Sequence, residues 1–280
     1  MAAARRWSPK IWEQKIDIQG LALALRDPTL TAEAVADGNI VLQDALRGES
    51  QQLPGVGIIH RCVFVAAFGI GRQYEGRPGL QKLKKCVRIA AAGRFYHDLD
   101  IMASFPTLVN FLTGGVLEPL RNYTSSPEAR ESVLNVVMTW YGCSRDNAKE
   151  LFNRILFGGS VSIWKTDAAV VVNSQTSVAP TVVSDWIEAC SKARDMVLEA
   201  HPDWAKAGRQ FFSDRRDWTF STFSYIIGEL ENRAVMSMVS AAEAHGWKVG
   251  SLQFDGMLVE KREGHPVSEL LPFLVEAVQV

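Results

Sequence analysis

The feature that most constrains the fold of this chain is an Asp-Gly pair between two short apolar runs. Asp255 and Gly256 separate residues 252–254 from residues 257–259. An Asp-Gly pair in this setting is the strongest short-range signal of a β-hairpin, because both residues tolerate the left-handed backbone of a tight turn. We therefore predict an antiparallel hairpin with Asp255 at its tip.

A further strand is predicted over residues 94–101. Side chains alternate there, so that Leu99 and Ile101 lie on one side while Asp98 and Asp100 lie on the other. A period of two is typical of a half-buried strand. Both aspartates are therefore expected to point in the same direction.

Helix signals dominate the rest of the chain. Ser126 followed by Pro127, and Ser144, are typical helix N-caps, and the glycines at 158–159 are a typical helix end. Helical patterns are also predicted in three further stretches, namely residues 1–75 with breaks at prolines and glycines, 182–200 and 220–246.

The helix after Ser144 is predicted to be amphipathic. Arg145 and Lys149, one turn apart, share a face with Phe152 and Leu156. The opposite face is apolar and consists of Ala148, Leu151 and Ile155. One side is therefore expected to pack in the core while the other presents two cations.

The composition excludes several classes of protein. The chain has 280 residues, 47% of them hydrophobic, with 30 lysines and arginines against 31 aspartates and glutamates. Such a chain can bury a core and is not intrinsically disordered. Its apolar runs are shorter than the roughly 20 residues that span a membrane, so we expect no membrane partner. With no signal peptide and no CxxC pair, the sequence predicts an intracellular protein that is not secreted.

The order of these elements suggests a chemistry that each element alone would not. An aspartate on a strand, a hairpin turn and a cationic helix face are each common surface features. Together, Asp100, the pair Arg145 and Lys149, and Asp255 match the needs of phosphoryl transfer from a nucleoside triphosphate. That reaction uses two divalent ions held by carboxylates on neighbouring strands, and cations that bind the β- and γ-phosphates.

Three stretches of the sequence resemble motifs of the family A, DNA polymerase I-like, nucleic-acid polymerases. Residues 98–108, DLDIMASFPTL, are similar to motif A, and residues 252–260, LQFDGMLVE, are similar to motif C. Residues 145–158, RDNAKELFNRILFG, fit the fingers-helix pattern R-x(3)-K-x(7)-[YF]-G at every fixed position. The resemblance covers residues 76–261 and implies a palm and fingers. Motif A also resembles that of family B polymerases.

The resemblance implies a role for each motif residue. Asp100 and Asp255 would bind two Mg²⁺ or Mn²⁺ ions, and Lys149 would complete the catalytic set. Arg145 and Lys149 would bind the incoming triphosphate, and Phe157 would stack near the nascent base pair. Phe105, five residues after Asp100, stands where DNA polymerases exclude a ribose 2′-hydroxyl, which implies deoxynucleoside triphosphates as substrates.

The resemblance also implies contacts with a primer-template duplex. Gly76-Arg77 followed by Leu80-Gln81 is weakly similar to a family segment at that duplex, and Arg88 is positioned to contact phosphate. These nucleic-acid-binding candidates are Arg77, Gln81 and Arg88.

Motif C departs from the family at the residues beside its aspartate. The family usually has His-Asp-Glu, whereas Phe254 and Gly256 flank Asp255 here, which removes one carboxylate. Asp98 and Glu260 are the candidates to supply the missing charge at the metal site.

We therefore predict an α+β fold with a polymerase-like palm, a small antiparallel sheet on helices. Residues 76–280 would form this palm with a mainly helical fingers insertion at about 115–215, and residues 1–75 a helical, reduced thumb-like region. The predicted activity is addition of dNTPs to a primer 3′-hydroxyl on a nucleic-acid template, with RNA synthesis or primase activity as variants. Two other hypotheses remain open: a catalytically silent palm that binds nucleic acid or acts as a scaffold, and an unrelated two-metal nuclease or nucleotidyltransferase.

Overall fold

The computed structural model describes residues 7–47, 51–53, 57–66, 69–215 and 217–278. The strands in these ranges are β1 (Lys10–Asp17), β2 (Gln51–Leu53), β3 (Gly57–Ala66), β4 (Gln73–Glu75), β5 (Tyr96–Asp100), β6 (Val249–Gln253) and β7 (Gly256–Glu260). The α-helices are α1 (Ile18–Ala24), α2 (Ala32–Arg47), α3 (Lys85–Ala92), α4 (Ser104–Leu112), α5 (Glu118–Ser125), α6 (Pro127–Tyr141), α7 (Arg145–Leu156), α8 (Val161–Asp167), α9 (Thr181–Ala200), α10 (Pro202–Phe211), α11 (Trp218–Ala244) and α12 (Leu271–Ala277). Short 3-10 helices cover Leu80–Lys82 and Val267–Glu269.

The described residues form two compact units. We call residues 102–228 the helical unit, and the described residues of 7–101 together with 229–278 the sheet unit. The fingers insertion predicted at about 115–215 falls within the helical unit. None of the helices in the described part of the chain has the length and hydropathy that a membrane span requires.

The sheet unit contains two antiparallel sheets. In the first sheet, β3 is central. All of β1 pairs with one edge of β3, and β2 and β4 pair with the two ends of β3. In the second, β7 lies between β5 and β6. Met257 and Val259 of β7 pack in one apolar core and Leu258 packs in another, as the alternation of a strand requires. The second sheet is therefore buried on both faces at β7.

The prediction that residues 1–75 are helical was wrong for about half of the regular structure described in that region. Helices α1 and α2 form there, but β1, β2, β3 and β4 account for the rest of its regular structure. Polar residues occupy buried positions of these strands: Gln14 in β1 and His60 in β3 are almost completely buried. Because polar side chains fill part of the inward face, the apolar alternation that identifies a strand was hidden.

The helical unit follows its sequence signals closely. The Ser126 and Ser144 hydroxyls accept hydrogen bonds from the third residue of α6 and of α7, which confirms both predicted N-caps. The core of the unit is aromatic, with ring centroids of Tyr123, Phe152 and Trp186 5.0–5.1 Å apart. The Trp186 indole N–H, which is buried, donates to the Phe152 carbonyl at 3.0 Å. The protein is thus a mixed fold of helices and small antiparallel sheets, as predicted.

Candidate functional site

The predicted hairpin is present, with Asp255 at its tip. Gln253 of β6 pairs with Gly256 of β7, so Phe254 and Asp255 are the two turn residues, and Gly256 begins the strand rather than completing the turn. Phe254 adopts a left-handed φ of 50°, which is unusual for a bulky side chain. The turn therefore carries backbone strain directly before the candidate metal ligand.

The second sheet brings Asp100 to this hairpin. Asp100 is the last residue of β5 and pairs with Gly256, and the amide of Ile101 donates to the carbonyl of Asp255 at 2.9 Å. A Cβ atom on Gly256 would lie 2.6 Å from Asp100 Oδ1 and 2.2 Å from the carbonyl oxygen of Leu99. Asp100 and Asp255 thus occupy the same end of adjacent strands, and the close approach of β5 explains why position 256 requires glycine.

Burial and neighbouring charges raise the pKa of the Asp255 carboxyl group. Burial is the main cause that raises the pKa of its carboxyl group to about 6, and the negative charges of Asp100 and Glu231 raise it further. Arg72 opposes this shift through its positive charge. A carboxylate that is costly to ionise, with another carboxylate beside it, is a place where a divalent cation would be electrostatically favourable.

Three neighbouring residues were not selected from the sequence. The Glu231 side chain is completely buried in α11 and forms an ion pair with Arg72, whose guanidinium lies 5.3 Å from the centroid of the Phe254 ring. Lys85 Nζ is 3.4 Å from Asp100 Oδ2. The available signal for Glu231 was an acidic residue among the apolar positions of a long helix, whereas the approach of Arg72 and Lys85 depends on tertiary structure.

Both candidate replacements for the missing carboxylate form ion pairs with residues outside the hairpin turn. Asp98 pairs with Arg88 at 3.2 Å, and both side chains are largely buried. Glu260 pairs with Lys15 at 2.6 Å. It ends β7, whereas Gly256 begins that strand, so the two residues are about 13 Å apart at the ordinary rise of a strand.

The three nucleic-acid-binding candidates all have partners within the protein. Arg77 is partly exposed and forms an ion pair with Asp44 at 3.1 Å. Gln81 is buried, and its amide hydrogen-bonds main-chain groups of β4 and β6. Arg88 is held by Asp98 and by the carbonyl of Leu83. Of the three, only Arg77 has substantial exposure.

The two cations of α7 lie on its exposed face, as the helix pattern predicted. Arg145 donates two hydrogen bonds to Glu131, one of them at 2.8 Å. Lys149 forms neither an ion pair nor a hydrogen bond with any described residue. Phe152 and Leu156 share this face by helical spacing but are completely buried, so the face is exposed at its cationic N-terminal half and packs in the core at its C-terminal half.

The predicted sugar gate and the predicted base-stacking residue contact each other. Phe105 of α4 and Phe157, which follows α7, meet edge to face with ring centroids 4.8 Å apart and an interplanar angle of 86°. Phe157 also packs near Phe223 at 6.1 Å. Both Phe105 and Phe157 are half-buried, so each ring is partly exposed while the pair supports it.

The oxygen donors near the hairpin fit a divalent cation that takes some of its ligands from the protein and the rest from water and a substrate. Within the described ranges, no group of three or more histidine, cysteine, aspartate or glutamate side chains is arranged to hold a metal ion. Mg²⁺ is usually held by one or two carboxylates, with waters and substrate phosphates completing its coordination. Asp100 and Asp255 match that pattern.

Comparison with known proteins supports a polymerase-like fold. No protein-family model matches the chain. It is 28% identical over 212 residues to the putative helicase V13 of Sputnik virophage, covering 72% of this chain and 25% of that protein. It also resembles the POL domain of Pol1 from M. smegmatis, solved with DNA primer-template and dNTP, at a TM-score of 0.52 and 15% identity. That match covers 88% of this chain and 47% of the other, so the chain spans less than half the length of either relative.

Proposed function

We propose that this chain catalyses template-directed nucleotidyl transfer, adding deoxynucleoside triphosphates to the 3′-hydroxyl of a primer. The observation that carries the proposal is the placement of Asp100 and Asp255 at one end of two adjacent strands, in a chain with a polymerase-like fold. The motif resemblance extends the proposal to a family A-like palm and fingers. The M. smegmatis polymerase domain is in complex with a DNA primer-template and a dNTP, and we propose the same two partners for this chain.

Asp100 and Asp255 would hold two Mg²⁺ or Mn²⁺ ions together with substrate oxygens. When bound, such ions activate the attacking hydroxyl and neutralise the leaving pyrophosphate. The protein contributes the orientation: the Ile101 amide fixes the Asp255 main chain, and Gly256 allows Asp100 to approach. The raised pKa of Asp255 means that its carboxyl group is ionised above about pH 6, so neutral and alkaline conditions favour the binding of a metal ion.

Lys149 and Arg145 would bind the phosphates of the incoming nucleotide. Lys149 is exposed and has no partner among the described residues, so its ammonium group is available to a phosphate. Arg145 would exchange Glu131 for that ligand, which makes its contribution smaller. We further propose that Phe105 restricts the sugar, that Phe157 stacks near the base, and that Arg77 contacts the phosphate backbone of the primer-template.

One observation favours a second function, a palm that binds nucleic acid without catalysis. Asp98 and Glu260, the candidates to replace the carboxylate that motif C lacks, are both engaged in ion pairs, and in this arrangement neither is free to bind a metal ion. Under this alternative, the chain would bind primer-template but would not extend it.

Primer extension distinguishes the two functions. The 280-residue chain is incubated with a labelled primer on DNA or RNA template, with dNTPs or NTPs and Mg²⁺ or Mn²⁺. We expect extension by the wild type, loss in Asp100→Asn and Asp255→Asn, and retention in Asp185→Asn, which removes an exposed aspartate of α9. Folded wild-type protein that binds primer-template but extends it under no condition would favour the silent palm.

A further inference from the structure

We infer that Lys85 is an internal counterion of Asp100. In the metal-free protein the Lys85 ammonium group pairs with the Asp100 carboxylate, and a divalent cation displaces it on binding. The inference rests on the proposed metal-binding role of Asp100. It brings into the site a residue, Lys85, that lies outside the three motifs. It also states that the Lys85 ammonium group and the metal ion compete for Asp100, and that this competition affects the affinity for metal.

The contact is directed at one oxygen of Asp100. Lys85 Nζ lies 3.4 Å from Oδ2, while Oδ1 is the oxygen that faces Gly256 of the hairpin. Lys85 is the first residue of α3, and Val87 and Ala91 anchor that helix in an apolar core. The backbone of Lys85 is therefore fixed beside β5, while its long side chain keeps its freedom.

Lys85 is an exposed cation of this region, in contrast to Arg72. Asp255 experiences the charges of Asp100, Glu231 and Arg72. Arg72 is held by Glu231, whose side chain is completely buried, so its charge is part of the fold. The Lys85 side chain is 63% exposed, and an exposed lysine pair is weak and easily exchanged.

A divalent cation and the ammonium group compete for the same carboxylate. Metal coordination at Oδ2 requires the ammonium to leave, and a cation that stays nearby repels the metal. Because an exposed ion pair is weak, removing Lys85 should tighten metal binding by only about two- to fivefold.

The neighbouring Lys84 provides a matched control. Its Nζ donates to the Thr31 hydroxyl at 2.9 Å, and its removal changes the net charge by the same amount. If only the overall field matters, Lys84→Ala and Lys85→Ala will tighten metal binding equally. If the direct contact matters, Lys85→Ala will tighten metal binding and Lys84→Ala will not.

The experiment titrates Mn²⁺ into the metal-free protein without nucleotide or nucleic acid, and follows free Mn²⁺ by electron paramagnetic resonance at about pH 7.5 and physiological salt. We expect binding that Asp100→Asn removes, that Lys85→Ala tightens about two- to fivefold, and that Lys84→Ala leaves nearly unchanged. Lys85→Arg, which keeps the charge, should stay near wild type. Circular dichroism checks that each variant is folded.

Three results would overturn the inference. Equal tightening by Lys84→Ala and Lys85→Ala would reduce it to a general charge effect, and weaker binding by Lys85→Ala would make Lys85 a supporting residue; both results leave the proposed metal site intact. Absence of Mn²⁺ binding that depends on Asp100, in wild type and Lys85→Ala alike, would overturn the inference together with the proposed metal site.

Discussion

The sheet unit and the helical unit hold their candidate functional groups in opposite ways. In the sheet unit, Asp255 is half-buried and lies near Glu231, whose side chain has no solvent exposure. In the helical unit, Arg145 and Lys149 lie on the surface of a helix whose other side packs in an aromatic core. The comparison teaches that the carboxylates are fixed by long-range structure, whereas the cations lie on an exposed helix face and are adaptable.

The largest expected effect tests the fixed side of this comparison. Asp100→Asn and Asp255→Asn should each lower kcat for primer extension by at least about a hundredfold, because each removes a charge that a metal ion would need. Primer-template affinity should change little. Steady-state extension and fluorescence anisotropy measure the two quantities, with Asp185→Asn as the control. A kcat within about threefold of wild type in either variant would contradict the metal-binding role.

The adaptable side should show a different kinetic signature. Lys149→Ala should lower kcat/KM for dNTP by about 10- to 100-fold, with a clear rise in KM, since a phosphate-binding charge is lost. Arg145→Ala should have a smaller effect, because Glu131 already competes for the guanidinium. Lys206→Ala, which removes an exposed lysine of α10, is the control. Equal values for Lys149→Ala and Lys206→Ala would remove Lys149 from the nucleotide site.

The difference between the units also explains what the sequence could predict. Helices α6 and α7 were predicted with their caps, because Ser126 and Ser144 act on residues three positions away. The hairpin and β5 were predicted for the same reason, since a turn and an alternation are local signals. These elements carry both aspartates, so the core of the candidate site was accessible from sequence.

Sequence reasoning failed where polar side chains are buried by distant partners. Gln14 of β1 donates to the hydroxyl of Ser251 in β6 at 3.0 Å and to Glu75 at 2.7 Å. A glutamine at an inward position interrupts the apolar alternation, and the partners that stabilise it are 61 and 237 residues away in the sequence. The pairing of Glu231 with Arg72, 159 residues apart, was inaccessible for the same reason.

A stability measurement tests whether Asp255 is as constrained as the comparison requires. Its pKa in the folded protein, about 6, lies above the ordinary value of 3.8, so folding favours the protonated carboxyl group. The associated stability is present below about pH 4 and is lost as the pH rises through about 6. Asp255→Asn should therefore be more stable than wild type at about pH 8, by about 1–2 kcal/mol, with the difference shrinking toward about pH 4.5. Urea denaturation at both pH values measures this.

Two outcomes would contradict that prediction. Lower stability of Asp255→Asn at alkaline pH would mean that the ionised carboxylate is stabilised by the fold. A difference independent of pH would mean that the amide acts through packing rather than through the removed charge. Asp185→Asn, at an exposed position, should show no such dependence on pH.

The smallest expected effect concerns the one candidate pair of the helical unit that is packed rather than exposed. Phe105 and Phe157 meet edge to face, so truncating either ring removes support from the other. Phe105→Ala should reduce discrimination between dNTP and NTP, and Phe157→Ala should reproduce part of that loss although Phe157 is assigned to the base. The double variant should lose less than the sum, with an interaction energy of about 0.5–1.5 kcal/mol.

The control for this cycle is Phe111→Ala, which removes an exposed ring from the same helix as Phe105. Ratios of kcat/KM for dNTP and NTP are measured for all variants. Strict additivity of Phe105→Ala and Phe157→Ala would mean that the rings act independently and that only Phe105 faces the sugar. A non-additive result would instead show that packing between the two rings constrains them. A side chain in the helical unit would then be fixed by packing, as Asp255 in the sheet unit is constrained by buried charges, and packing rather than the choice of unit would decide which groups are fixed.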